Sequence, residues 1–381
     1  MVAEGGSADL LRGQGWGQNP LAAVALELSA EAAQPAQASG LWRELLQRFP
    51  NSPSSAWARL ALAEQQSDLS QQLLEQQPGH PAALTLATTM EPSASQGHRG
   101  ALHLARWGVR GPGTLQRLRA ACNDTSTTAP TQQQRQVLAA GLAQLGDATA
   151  AQRCLNAGPT TAETQLAIGR SLLAAGSEDQ GTALLIKLAQ DQPQHPASQE
   201  AARLLSEPLF PDPAVLDALP SGLQTQSAAV AAARVRLANG DNASTVLQRW
   251  PNDPDVWQLQ WDLARAALLK QQWSEAQQLL ERDTKLGPLP GPLEARRLFW
   301  LGFSLEQQGE QAAAHQLWER FIHSTPPGYY RWRAMERLKQ TPPLDLRQPL
   351  SPPTPDAWRP LNSDSALVNT LWRLGLTAQA W

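Results

Sequence analysis

Between Leu237 and Leu338, apolar side chains return at steps of three and four, and no strand-like alternation of useful length interrupts them. One unit reads Gly240-Asp241, then Ala243, Val246, Leu247 and Trp250, then Pro251-Asn252-Asp253-Pro254. Further runs follow at Val256, Leu259, Leu263 and Ala266, and at Trp273, Ala276, Leu279 and Leu280. The series continues through Ala295, Leu298, Leu301, Gly302 and Leu305, then Ala314, Leu317, Trp318, Phe321 and Ile322, and closes on Tyr330, Ala334 and Leu338. Such spacing lays one apolar stripe along each helix, and a stripe must be buried against a neighbour. The region therefore reads as a stack of antiparallel helix pairs.

The same texture begins earlier, with Leu41, Trp42, Leu45, Leu46 and Phe49 before Pro50, and Trp57, Leu60 and Leu62 after it. A Pro-x-x-Pro connector recurs at 50–53, 78–81, 193–196 and 251–254. Its first proline ends one helix, because the residue before a proline cannot easily stay helical. A polar residue then caps the next helix, clearest in Ser52 and Asp253, and the second proline takes the first helical position. Inside the pairs a glycine precedes polar residues and alanine, at Gly146-Asp147, Gly176-Ser177, Gly240-Asp241 and Gly309-Glu310. Gln272-Trp273-Ser274-Glu275-Ala276 is a version without glycine. These markers lie 30, 64, 32 and 37 residues apart, one or two periods of a tetratricopeptide-type hairpin. The expected fold is all-α: a right-handed α-solenoid of tetratricopeptide-like hairpins over residues 21–340. Residues 1–20, rich in glycine, are expected to be loosely ordered. Seven prolines mark 341–362 as an extended linker, and 363–381 as the start of a further helix with no partner of its own.

A net charge of −3 provides no basic field for nucleic acid. No run of 18 apolar residues is present, so no membrane span is expected, and the N-terminus lacks the basic start and apolar core of a secretory signal. Cys122 and Cys154 could pair, but without a framework or metal spacing the expectation is two reduced thiols. Nothing assembles into a catalytic constellation. The six histidines are scattered without a metal pair, and His80 and His195 fall in connectors, where a polar turn role is expected. No phosphate-cradling loop and no Gly-x-Ser-x-Gly elbow occurs, so neither cofactor nor metal is expected.

Of the 14 tryptophans, Trp42, Trp250, Trp300 and Trp318 occupy or flank apolar stripes and read as core. Trp257 and Trp261 lie four apart and off the main stripe of their helix; they either widen the buried face or line an inner groove, where aromatic faces could stack on sugar rings. The most distinctive stretch runs from Pro326 to Leu338. Tyr330, Ala334 and Leu338 make its inner stripe, while Arg333 and Arg337 share an outer face beside Tyr329. Without a ligand that face would be solvated, with a salt bridge to Glu336. The candidate binding residues are Tyr329, Tyr330, Trp332, Arg333, Arg337, Trp257 and Trp261.

Phe299-Trp300-Leu301-Gly302, Gly309-Glu310 with its alanine run, Trp318, and Pro327-Gly328-Tyr329-Tyr330 through Ala334 to Arg337-Leu338 carry a resemblance. The stretch is similar to the end of the non-catalytic superhelical domain of the soluble lytic transglycosylases, cyanobacterial type. The unit from Trp250-Pro251 to Leu280 and the closing Leu371-Trp372-Arg373-Leu374-Gly375 also fit. In that family helical hairpins precede a lysozyme-like domain that cleaves peptidoglycan glycan strands with one Glu, leaving a 1,6-anhydro sugar. The family's Glu-Ser pair and Gly-Leu-Met-Gln segment are absent here, so no catalytic residue carries over. The resemblance implies a part that positions glycan strands in the periplasm or cell envelope. The alternative is a free-standing tetratricopeptide-like scaffold for a protein partner.

Overall fold

The computed structural model describes residues 19–93, 97–156, 158–207, 211–325, 327–340, 361 and 363–380. The expectations for residues 1–18 and for most of the Pro-rich stretch lie outside them. Among the described residues the chain is all-helical and without strands; a lone antiparallel bridge joins Ser93 to Gly97. That content is consistent with an α-solenoid. The chain divides into two compact units between Glu178 and Asp179, with the C-terminal helical segment belonging to the first.

Local chemistry explains where the helices begin and end. Pro81, Pro196 and Pro254 each open a helix. The residues before them are the caps: His80 Nδ1 accepts from the Ala82 amide at 3.1 Å, His195 Nδ1 from Ala197 at 3.1 Å, and an Asp253 carboxylate oxygen from Asp255 at 2.9 Å. Two connector histidines are thus helix caps, an acceptor role that imidazole fills less often than Ser or Asp. The first connector differs. Its helix starts at Ser55 rather than Pro53, and Ser52 Oγ accepts from the Ser55 amide within a turn.

The glycine markers close helices. Gly146, Gly176 and Gly309 have φ of 82, 76 and 88°, and the residue after each donates its amide five residues back, to Leu142, Leu172 and Leu305. This is the Schellman arrangement, which supplies donors to otherwise orphaned carbonyls. In the 240 unit Asn239 takes the left-handed position at φ 53°, and in the glycine-free version Gln271 takes it at φ 59°. Three residues then suffice to start the next helix. Ala148–Leu155 packs against Gln132–Gln144, Trp273–Leu280 against Pro254–Leu269, and Gln311–Ser324 against Gly291–Gln307.

In the first unit, the helix Pro20–Ala32 is apolar on two sides. Ala22, Ala23, Leu26 and Ala30 join a core with Leu41, Trp42, Leu45, Phe49 and Leu62. Val24 instead packs with Leu371 and Ala380, and Leu21 and Leu28 line the same cluster beside Leu367 and Val368. The helix Ala366–Arg373, expected to lack a partner, therefore covers the second face of Pro20–Ala32. Sequence periodicity could not give this pairing, because the two segments are more than 300 residues apart. Glu27 is buried close to this contact, 2% exposed, and accepts from Gln379 Nε2 at 3.3 Å.

Cys122 and Cys154 form a disulfide, with Cα atoms 5.0 Å apart. The expectation of two reduced thiols is thereby corrected. The helices Thr114–Asn123 and Ala148–Leu155 pack side by side, which brings their last turns together. The Arg135 guanidinium reinforces that junction by donating to the Cys122 carbonyl at 2.9 Å and the Cys154 carbonyl at 3.3 Å.

In the second unit, the stripes run close to the expected ones, with two changes. On Pro254–Leu269 the buried positions are Val256, Leu259, Ala264 and Ala267, and Ala266 is exposed. On Gly291–Gln307 the centre is Phe299, with Gly302 and Ser304, rather than Leu301. A bulky aromatic displaces the axis of burial towards itself, since it removes the most apolar area from water.

Reducing the disulfide, or replacing both cysteines by serine, should cost about 3–4 kcal/mol from the 32-residue separation it closes. Thermal unfolding with and without dithiothreitol reads this, and an unchanged midpoint would rule out a stabilising bridge. Burial chiefly raises the pKa of Glu27, against hydrogen bonds from Ser54 and Gln379 that lower it. A folded pKa above the unfolded one means this stabilisation is full below the unfolded carboxyl range and is lost as pH rises through the folded value. Glu27→Gln should therefore flatten the pH dependence and strengthen the fold at neutral pH, read by urea unfolding from roughly pH 4 to 8.

Candidate functional site

The helix Gly291–Gln307 of the second unit presents Phe299, Trp300 and Phe303 within little more than one turn. Three and four residues are the spacings that put helical side chains side by side. Phe299 is buried, while Trp300 and Phe303 are half-buried. Phe299 stacks on Trp318 with centroids 6.1 Å apart and an interplanar angle of 23°. Trp318 is fully buried, and its indole Nε1 donates to the Phe299 carbonyl at 3.2 Å. The indole reaches that carbonyl because residue 302 is glycine: a Cβ there would overlap Nε1 and the ring atoms beside it.

From this centre the aromatic contacts extend in two directions. Towards the preceding helix pair, Trp300 meets Trp261 at 6.3 Å, and Phe303 meets Trp273 edge-on at 5.8 Å. Towards the following helix, Tyr329–Arg337, Phe299 meets Tyr330 at 5.7 Å; Tyr330 meets Tyr329 at 5.2 Å, and Tyr329 meets Trp332 at 6.0 Å. The faces prefer tilted and edge-on arrangements because a ring's positive edge seeks another's negative face. Guanidinium groups rim the network. Arg296 lies 4.3 Å above the Trp261 ring, Arg337 4.9 Å from the centre of Phe303, and Arg333 5.9 Å from that of Trp332.

The seven candidate residues fall into one connected network and one neighbour. Trp261, Tyr330, Tyr329, Trp332, Arg333 and Arg337 are members of it. Trp257 turns aside: its Nε1 donates to the Pro251 carbonyl at 2.9 Å, and with Trp261 it lines a small crevice also bounded by Leu289, Leu293 and Arg296. Tyr329 is 63% exposed. The salt bridge placed on Glu336 is corrected, because Arg337 Nη1 pairs instead with Glu306 at 2.8 Å on the neighbouring helix Gly291–Gln307. Glu306 lies where the helices converge, whereas Glu336 is exposed on the same helix as Arg337. Phe299, Phe303, Trp273 and Arg296, and Trp300, which was read as core, were missed as candidates. The signal for Phe299, Trp300 and Phe303 was the run Phe299-Trp300-Leu301-Gly302-Phe303, too dense in aromatics for one stripe; Trp273 and Arg296 lie outside it.

The acids around the network are committed to ion pairs. Arg297 holds Glu294 through two bonds of 2.6 and 2.9 Å, and Arg236 holds Asp262 at 2.9 Å. Burial alone would raise the Glu294 carboxyl, but Arg297, together with the Leu289 amide and Arg282, outweighs it and leaves the pKa below the usual value. Such a group is an ionised strut, not a proton donor. Among the described residues no cluster of three or more His, Cys, Asp or Glu is placed to hold a metal ion. The arrangement suits binding: half-exposed aromatic faces with cationic, hydrogen-bonding rims.

The chain matches no family model and no curated protein sequence.

Gly302→Ala should destabilise the second unit by about 1–3 kcal/mol, since the added methyl drives a fully buried indole from its place. Tryptophan fluorescence and urea unfolding would read this; full stability with native fluorescence would show that the indole has room to spare.

Proposed function

We propose that this chain is the non-catalytic helical-repeat part of a peptidoglycan lytic transglycosylase, which positions glycan strands for a catalytic domain. The right-handed superhelix of that family is the arrangement this reading assigns to its hairpins. The observation that carries the proposal is the aromatic network from Trp261 to Trp332, half-exposed and rimmed by Arg296, Arg333 and Arg337. Pyranose rings offer apolar C–H faces to aromatic rings, while their hydroxyls and the carboxylates of muramyl sugars accept from guanidinium groups. The network coincides with the stretch that resembles the transglycosylases. The disulfide supports an oxidising compartment such as the periplasm, because such bridges rarely persist in a reducing cytosol.

A second reading, a scaffold for a protein partner, draws on a different observation. Leu269 is 71% exposed and Tyr329 63%, and apolar side chains left in water favour protein contacts as well as sugars. The two readings separate on insoluble cell wall. Purified sacculi should retain the chain above a control helical-repeat protein, and the double variant Tyr329→Ser with Trp332→Ala should lose about tenfold in retention while its circular dichroism is unchanged. Retention no greater than the control would remove the glycan reading in favour of the scaffold.

A further inference from the structure

The connector Pro78-Gly79-His80-Pro81 joins the helices Ser67–Gln76 and Pro81–Thr89 in the first unit, and two imidazoles grip it. His80 Nδ1 accepts from the Ala82 amide at 3.1 Å, and its ring meets Trp57 edge-on at 5.6 Å. From the helix Arg99–Trp107, His103 Nε2 lies 2.8 Å from the Pro78 carbonyl oxygen. Both partners belong to the backbone, so both tautomers are fixed. An amide N–H only donates, which leaves His80 Nδ1 without a proton; a carbonyl only accepts, which places one on His103 Nε2.

The two bonds differ in what a further proton does to them. His103 keeps its Nε2–H as an imidazolium and goes on donating. His80 loses its acceptor, because both ring nitrogens of an imidazolium are donors. Two N–H groups would then face each other at the start of Pro81–Thr89, where the helix dipole already disfavours positive charge. The Ala82 amide is among those a helix cannot satisfy from within, so the turn loses the partner that the cap supplied.

The helices packed around the connector bring three arginines and two acids. These are Arg59 on Ser55–Leu62, Asp68 and Glu75 on Ser67–Gln76, and Arg99 and Arg106 on the helix of His103. Asp68 stands in the first turn of its helix, at the end away from the connector, and Glu75 lies 3.7 Å from Arg99. Burial pushes the His80 pKa below its ordinary value of 6.5. Burial, with Arg99 and Arg106, does the same to His103, against the Pro78 bond that raises it.

We propose that His80 is a proton-operated catch: in mildly acidic solution the cap on Pro81–Thr89 releases, while His103 keeps hold of the Pro78 end of the connector. The first turn of the helix then loosens at one defined joint. A folded pKa below the unfolded one means that the cap's contribution is full above the unfolded value and is lost as pH falls through the folded one. Glu27, in the same unit, acts in the opposite direction, since its protonation favours the fold. The catch stands whether or not the aromatic network binds glycans.

The test follows amide exchange of the ¹⁵N-labelled full chain from about pH 7.5 to 5, corrected for the intrinsic pH dependence of exchange. Ala82 protection should fall about fivefold, the worth of a helix cap. The Asp255 amide is the internal control, because its acceptor, Asp253, is a carboxyl group and keeps an acceptor oxygen in either charge state. His80→Asn and His80→Ser, caps that do not titrate, should hold Ala82 protection constant over the same range. His103→Gln, which still donates, should lose it as the wild type does. An equal loss in the His80 variants, undiminished Ala82 protection in the wild type, or a parallel loss at Asp255 would overturn the proposal. Should a variant fail to fold, the wild-type comparison of Ala82 with Asp255 decides by itself.

Discussion

A helix leaves its last carbonyls without partners, and this chain meets that constraint repeatedly with one device. After Gln144, Ala174, Leu269 and Gln307 the backbone turns through a left-handed residue, and the next amide reaches back five residues. The turn satisfies the carbonyls and reverses the chain in three residues. After Gln144, Leu269 and Gln307 the helix so reversed packs against its predecessor, and these pairs within each unit follow from the turn. Where glycine is missing, at Gln271 and Lys339, the chain accepts an unfavourable backbone conformation rather than a different turn. At Gln271 the pairing of Pro254–Leu269 with Trp273–Leu280 outweighs the local strain.

Within the second unit, packing converges on the indole of Trp318. Its N–H needs a buried acceptor and finds one in the Phe299 carbonyl only because residue 302 has no side chain. That single vacancy sets the separation of two helices, and the separation decides how far Trp300 and Phe303 stand out between their neighbours. The candidate surface is thus a by-product of core packing: the residues that cannot be fully buried once Phe299 and Trp318 are seated.

Much of this was legible in the sequence, and the misses share a physical cause. Steps of three and four located the helices, and proline and glycine located most of their ends, because these signals are local. Ser52 misplaced the helix start by two residues, since a proline can sit in the turn before a helix as well as at its first position. Leu301 and Ala266 were placed on buried stripes by spacing alone, whereas side-chain size decides which way a helix rolls. The Cys122–Cys154 bridge, the pairing of Arg337 with Glu306, and the partner of Ala366–Arg373 all depend on which helices become neighbours. Aromatic density between 299 and 303 did point to the candidate surface, but it could not say which rings would remain half in water.

The two-faced helix Pro20–Ala32 has a consequence for how the protein is made. One face finds Leu41, Trp42 and Leu45 as soon as the next helix leaves the ribosome. The other face, around Val24, waits for Leu371, and the Glu27–Gln379 contact spans 352 residues. At ordinary elongation rates that interval is roughly 20–70 s. Throughout it the nascent chain carries an apolar strip with no native cover. A chaperone that shields that strip would do for the growing polypeptide what Leu371 and Ala380 do for the folded one.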